Sequence, residues 1–231
     1  MNALAGGGSF VMLPALIAVG LPSVQANAST TLALLPGGVV SAWVYRAGLT
    51  SVVGVPLRPT LIATFIGGAL GALLLLWTPV SAFDHVLPWL LLTATLMLAF
   101  GPRLGPALRK HYRAGPVLVI GMQFVLGVYG GYFGGAVGLM MLALWSLLDT
   151  ADVSRLNAPR TLLVTVANAV AALCFILAGA IRWPEALVVG CGAFLGGYGG
   201  ARLGAALPKG VVRGVTLAIA VTMTIGFFLR A

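Results

Sequence analysis

Gly130-Gly131-Tyr132-Phe133-Gly134-Gly135-Ala136-Val137-Gly138 interrupts an otherwise apolar run over residues 115–148, and an earlier stretch matches it. That earlier stretch is Gly6-Gly7-Gly8-Ser9-Phe10, close to the start of the chain. Each is followed at the same distance by an Asn-Ala step and a threonine. Asn27, Ala28 and Thr31 become Asn157, Ala158 and Thr161, a shift of 130 (157 − 27) that Gly8 and Gly138 also keep. Gly67-Gly68, Gly71 and Pro79 recur as Gly196-Gly197, Gly200 and Pro208, a shift of 129 (208 − 79). The chain reads as a duplicated unit, and each unit carries one helix-breaking segment in membrane-type sequence. Broken helices at matching positions of two halves point to a transport site.

Composition supports a lipid setting. The chain is 60% hydrophobic and 7% charged, with a mean hydropathy of +1.09, where soluble domains carry about 25% charged residues. Soluble and disordered classes are excluded. The net charge of +9 fits basic residues in the short cytoplasmic connections of a membrane protein. Nucleic-acid binding is not expected, since no basic run is interleaved with aromatics outside the apolar spans. Cys174 and Cys191 lie within apolar segments and read as small buried hydrophobes. His85, beside Asp84, and His111 are placed in loops without partner ligands. No metal or cofactor is implied.

At about 20 apolar residues per crossing, spanning helices are expected at 26–45, 58–77, 86–101, 158–180, 185–206 and 211–229, with irregular segments at 3–20 and 115–148. Gly20-Leu21-Pro22 and Thr78-Pro79 end segments, and Trp183-Pro184 starts one. Trp77, Trp89 and Trp183 fall near expected interfaces. The domains are a first repeat unit over 1–101, a basic cytoplasmic linker over 102–114 and a second unit over 115–231. The second unit has the apolar run Pro116 to Tyr129 before its glycines, and the first lacks it. Either the start of the chain is misassigned or the protein works with one half-helix missing. The segment Met1 to Ala5 has no basic n-region of a signal peptide.

The cations bear on topology. If 115–148 spans, eight cations lie inside and five outside; if it dips in and returns, eleven lie inside and only Arg182 and Arg230 outside. The second arrangement obeys the positive-inside rule better and inverts one unit relative to the other. The expected fold is therefore an all-α polytopic membrane protein. Its two repeated units are inverted, each with one glycine-broken or re-entrant segment plus three spanning helices.

The run Ala5-Gly6-Gly7-Gly8-Ser9-Phe10 with Pro14, then Gly20-Leu21-Pro22 and Gln25-Ala26-Asn27-Ala28-Ser29-Thr30, resembles the sulfite exporter TauE/SafE family, the sulfonate/sulfite permeases. The second unit repeats it as Gly134-Gly135-Ala136-Val137-Gly138, then Leu156-Asn157-Ala158-Pro159-Arg160-Thr161, and the segment ending Gly196 to Gly204 resembles the family's glycine-rich third helix. Two departures are Gly-Gly-Ala-Val-Gly in place of three adjacent glycines, and the absent first half-helix. The resemblance implies export of sulfur-containing anions such as sulfite or organosulfonates across the cytoplasmic (inner) membrane.

Chemistry places the candidate site at the breaks. Glycines let a membrane helix unwind, and the freed N–H groups must then line a cavity or be buried in protein. The unwound turn and the next helix start aim N–H groups and a positive dipole end at one spot, which suits a small anion. Gly7, Gly8, Ser9, Gly135 and Gly138 are the expected backbone positions, with a hydroxyl donor from Ser9. Asn27, Thr31, Asn157 and Thr161 form a second layer, the two asparagines reading equally well as helix N-caps. Arg160 is the side-chain candidate, because a cation inside a span is expensive unless it is paired or faces water, and Arg binds oxyanions bidentately. Snorkelling, or pairing with Asp152, is the alternative. Gln123, Tyr129 and Asn168 are either pathway groups or interhelical hydrogen-bond formers. Gly67, Gly71, Gly196 and Gly200, at helical spacing, read as close-packing positions.

Absences shape the mechanism. Asp84, Asp149, Asp152 and Glu185 all fall at expected ends or loops, so no intramembrane carboxylate is available for proton coupling. An anion leaving a negative interior gains about 2.3 kcal/mol per charge per 100 mV, which favours potential-driven export by alternating access. An intramembrane enzyme would need a constellation that two loop histidines do not supply. An anion channel or an accessory subunit without transport activity are the alternatives. Oligomeric state is not legible.

Overall fold

The computed structural model describes residues 8–108, 115–148, 155–206 and 209–229. Lipid offers no partners to the backbone, so a chain this apolar satisfies its amides within helices. Nine α-helices follow among the described residues: α1 (Ser9–Ala18), α2 (Ser23–Tyr45), α3 (Leu57–Trp77), α4 (Val80–Leu108), α5 (Pro116–Tyr132), α6 (Val137–Leu148), α7 (Asn157–Leu177), α8 (Trp183–Ala206) and α9 (Lys209–Phe228). By length and hydropathy, Ser23–Gly48, Leu57–Trp77, Val80–Met97 and Asn157–Leu177 can each cross a bilayer. Each span expected from sequence is built on a helix, α7 ending at Leu177 rather than residue 180 and α9 at Phe228, and 115–148 is two helices separated by residues 133–136.

Local signals explain the ends. Gly20, at φ 94°, closes α1 while its N–H donates to the Ile17 carbonyl and that of Leu21 to Leu16. This left-handed cap costs glycine nothing. Pro22 then caps α2, so that helix begins at Ser23. Proline presets helical φ where the missing N–H is not needed. Likewise Thr78-Pro79 starts α4 at Val80 rather than near residue 86, placing Asp84 and His85 in its first turns instead of a loop. His85 Nδ1 lies 2.7 Å from the Ser81 carbonyl oxygen. α4 also carries helix to Leu108, into the expected linker; Arg109, Lys110, His111 and Arg113 lie outside the described residues.

Contacts give the helix directions. Gln123 on α5 donates to Thr64 on α3 at 2.8 Å, Gly71 abuts Val128, and the Tyr132 hydroxyl donates to Thr78 at 3.3 Å. Thus α5 runs beside α3 in the same direction. α6 then folds back along α5, with Gly130 against Val137 and Gln123 Nε2 4.0 Å from Met141 Sδ. The segment 116–148 is therefore a hairpin whose two ends lie at one end of the bundle. α2 and α7 are antiparallel, Gly38 meeting Thr165 and Gly48 meeting Ala158. The hairpin's open end coincides with the end of α2 and the start of α7, where Arg46, Arg58, Arg155 and Arg160 also lie. We call this the basic end; Arg182 lies at the opposite end, where its N–H donates to Ser29 Oγ at 3.0 Å.

Packing mirrors the duplication. α2 packs on α8 as α3 packs on α7, and α4 packs on α6 as α9 packs on α1. Thr95 on α4 and Thr224 on α9 share a buried hydroxyl–hydroxyl hydrogen bond of 3.0 Å. Their separation of 129 (224 − 95) equals the spacing at which Gly67, Gly71 and Pro79 recur as Gly196, Gly200 and Pro208. One buried cluster, with Phe10, Leu13, Phe83, Leu87, Phe133 and Phe175, fills the opposite end. A second, with Val52, Val55, Val119, Met141, Trp145 and Leu163, fills the basic end.

Candidate functional site

The α5–α6 break lies where the two clusters meet, Phe133 and Ala136 belonging to one and Val137 to the other. Gly134 takes φ 71° and Ala136 φ 57°. The left-handed conformation costs an L-residue about 1–2 kcal/mol, which Gly134 avoids and Ala136 bears. Gly135 is folded so closely on the Phe133 ring that a Cβ there would collide with it. Together these residues turn the chain from the end of one half-helix into the start of the next.

The break brings backbone polar groups together in a largely buried setting. At the α6 start, the Ala136 carbonyl accepts from Leu139 (2.9 Å) and Met140 (3.1 Å). Among the described residues no acceptor meets the N–H groups of Val137 and Gly138. The side chain of Arg160 lies along this turn: its Cδ and Cγ are 3.6 and 3.8 Å from where a Gly138 Cβ would stand. Arg160 is half-buried, and no carboxylate among the described residues pairs with it; the one ion pair there is Arg182–Glu185 at 3.8 Å. Asp152, the alternative partner, lies outside the described residues. A helix start with open N–H groups favours an anion, and an arginine anchored beside it can pair with that anion. The arrangement is suited to receiving one.

The α5 end is held from α2. Asn27 Nδ2 donates to the Tyr132 carbonyl at 3.0 Å, and Thr31 Oγ1 donates to the Asn27 carbonyl at 3.0 Å. Asn27 sits a full turn inside α2, so it is not an N-cap; its side chain is free to reach across to the break. Asn157 is the first residue of α7, where Leu156 is the N-cap and no side chain caps the helix. The N-cap reading of both asparagines is thereby corrected. The Thr31 bond recurs in the second unit, Thr161 Oγ1 donating to the Asn157 carbonyl at 2.8 Å.

The expected residues do not all converge. Asn27 and Thr31 meet the break from α2, Arg160 meets it from α7, and Gly135 and Gly138 form it. Asn157 instead lines a cleft of about 420 Å³ at the basic end, with Tyr45, Gly48, Thr50 and Arg155. Gly8 caps α1 in right-handed helical conformation (φ −57°) and Ser9 is buried beside it; Gly7 lies outside the described residues. Gln123 and Tyr129 form interhelical hydrogen bonds, the Tyr129 hydroxyl donating to the Leu90 carbonyl at 3.1 Å. Gly67 and Gly71 sit in backbone contact with Phe124 and Val128 of α5, the close-packing role expected of them.

Asn168, read from sequence as either a pathway group or an interhelical hydrogen-bond former, lies at the break. Its Oδ1 is buried without a hydrogen-bond partner, 3.6 Å from the Gly134 Cβ position. Helical spacing held the signal: Asn168 is eleven residues, three turns, beyond Asn157 on the same face.

Comparison with known proteins fits this geometry. The family model described as "Sulfite exporter TauE/SafE" matches residues 1–227. A "Probable membrane transporter protein" of Haemophilus influenzae is 31% identical over 225 residues, covering 97% of this chain and 88% of that protein. The Escherichia coli K12 "Probable membrane transporter protein YfcA" is 28% identical over 224 residues, covering 97% and 83%. "Probable membrane transporter protein ORF9" of a Sinorhizobium species is 26% identical over 227 residues, covering 97% and 86%. No solved structure matches the chain. With a family model over nearly its whole length, apolar spanning helices and a broken hairpin inside them, this chain belongs to the sulfite exporter TauE/SafE family and is an integral membrane transporter.

Proposed function

We propose that the protein exports sulfur-containing anions, of the sulfite or organosulfonate class, across the cytoplasmic membrane. The carrying observation is the α6 start, where the N–H groups of Val137 and Gly138 have no acceptor among the described residues and the aliphatic stem of the half-buried Arg160 packs against Gly138, with no carboxylate paired to it there. Sulfur oxyanions match both, since Arg binds them with two parallel hydrogen bonds and backbone N–H groups accept them without full charge neutralisation. Arg160 occupies the repeat position of Thr30 (160 − 130), so one unit supplies the charge and the other a hydroxyl.

The transport cycle follows from duplication. The two units, 1–101 and 115–231 joined by 102–114, act as inverted halves that alternate access to the break. Equivalent packing pairs and the Thr95–Thr224 bond support this reading, because a contact between residues one repeat spacing apart is expected on a pseudo-two-fold axis. The basic end faces the cytoplasm by the positive-inside rule, so the 420 Å³ cleft with Arg155 collects substrate there. The membrane potential then favours anion exit.

The test is thermal stabilisation of purified protein against sulfite, sulfate, thiosulfate, sulfoacetate, taurine, nitrate and chloride. A ligand at 100 times its Kd stabilises by about 2.7 kcal/mol. Selective stabilisation by a sulfur oxyanion, lost in Arg160→Ala, is expected. No response to any sulfur anion in folded protein removes the substrate assignment.

A further inference from the structure

The C-terminal end of α5 presents the opposite polarity to the α6 start. Around the position a Gly134 Cβ would take, the three nearest atoms are all oxygens: the Gly130 carbonyl at 3.4 Å, Asn168 Oδ1 at 3.6 Å and Thr31 Oγ1 at 3.6 Å. None of them has a hydrogen-bond donor among the described residues. The last-turn amides of Phe133 and Gly134 both donate to Tyr129, bypassing the Gly130 carbonyl. Thr31 spends its proton on the Asn27 carbonyl, which leaves its lone pairs open. Asn168 Oδ1 is buried and unpartnered. An orphaned buried acceptor is costly, so Asn168 Oδ1, beside two further oxygens with open lone pairs on two other helices, calls for a positive group.

We propose that this pocket binds a monovalent cation, sodium by its chemistry, at the negative end of the α5 half-helix. The oxygens are hard and uncharged, and no carboxylate joins them among the described residues. Divalent calcium and magnesium sites rely on carboxylates, whereas unwound carbonyls and half-helix C-termini bind sodium in transporters with broken helices. An ion of sodium's size, close to that of calcium, binds oxygens at about 2.3–2.6 Å; it would lie off the Cβ position, toward the oxygens. The break then carries two poles four residues apart, a cation at Gly134 and an anion at Gly138. This proposal stands apart from the substrate reading, because it requires cation binding in the absence of any transported anion.

The experiment is thermal unfolding of the full chain in detergent, titrated with sodium, potassium or choline chloride at constant ionic strength and pH, without sulfur anions. Saturable stabilisation by sodium, absent with choline, is expected. Asn168→Leu and Thr31→Val should each shift the half-saturating concentration upward at least tenfold. Gly134→Ala, which puts a methyl group among the three oxygens, should abolish the response. Where one variant does not fold, the other two carry the comparison. Equal stabilisation by sodium and choline overturns the proposal, as does an unchanged sodium response in the folded variants; a bound water would then be what satisfies the oxygens. Potassium outdoing sodium would reassign the ion and contradict the sodium assignment.

Discussion

Asn27 shows how one side chain sets the geometry of the site. Its amide reaches from the second turn of α2 to the last carbonyl of α5 at 3.0 Å, tying the break to a continuous helix. Asn27→Ala removes the donor and leaves a buried carbonyl unpaired, which costs about 1–3 kcal/mol. We expect a lower Tm in detergent and weaker anion stabilisation from the same variant, because the α6 start loses its support. Asn27→Leu, which also removes the donor, should behave alike; an unchanged Tm in both would mean that the bond carries no weight. Asn27 and Thr31 stood out in the sequence because they recur as Asn157 and Thr161, and Arg160 because it is a cation inside an apolar span. Their roles were less legible. An asparagine near a helix start reads as a cap, and only the position of Pro22, which starts α2 four residues earlier, frees Asn27 to act across helices. Asn168 stayed open between a pathway role and a hydrogen-bonding one for a related reason: the residue 130 positions earlier is Gly38 (168 − 130), so no polar pair singled it out.

At the scale of elements, the α3–α5 contact holds the hairpin in place. Gly67 meets Gly127, Gly68 meets Gly131 and Gly71 meets Val128 and Tyr132, backbone to backbone, since side chains at these positions would keep the helices apart. A Cβ on Gly131 would collide with the Gly68 carbonyl, a backbone atom that cannot turn aside. Gly131→Ala should therefore destabilise by about 1–3 kcal/mol or more. Gly121, on the same helix, has nothing within 4 Å of its Cβ position. There Gly121→Ala should be neutral or stabilising by up to about 1 kcal/mol. Thermal unfolding of the two variants side by side separates packing from helix propensity, and equal effects would contradict the zipper. The glycine spacing was readable as a packing face from sequence; its partner helix was not, because periodicity identifies a face but not what covers it. The late start assigned to α4 has a similarly local cause. Asp84 and His85 look like loop residues, yet Pro79 nucleates the helix before them and lipid-facing residues carry it onward.

For the whole molecule, six long helices in alternating directions and one hairpin place most cations of the described residues at a single end. Orientation can be checked in a variant with Cys174 and Cys191 replaced by alanine. A membrane-impermeant maleimide applied to intact cells should label Ser81→Cys, at the opposite end, and should label Thr50→Cys, at the basic end, only after permeabilisation. The reverse pattern would turn the molecule over and make the 420 Å³ cleft an external vestibule. An all-helical membrane fold follows from hydropathy, which is why it could be read early. The substrate could not be, because backbone N–H groups and one arginine accept many oxyanions alike. The most direct test of the account is sulfite flux from proteoliposomes under an imposed potential, comparing the native chain with Arg160→Ala. We predict saturable efflux, accelerated when the substrate side is negative and reduced at least tenfold in Arg160→Ala. Undiminished flux in that variant, or none in the native protein with every sulfur anion tried, would contradict an anion site at the α6 start.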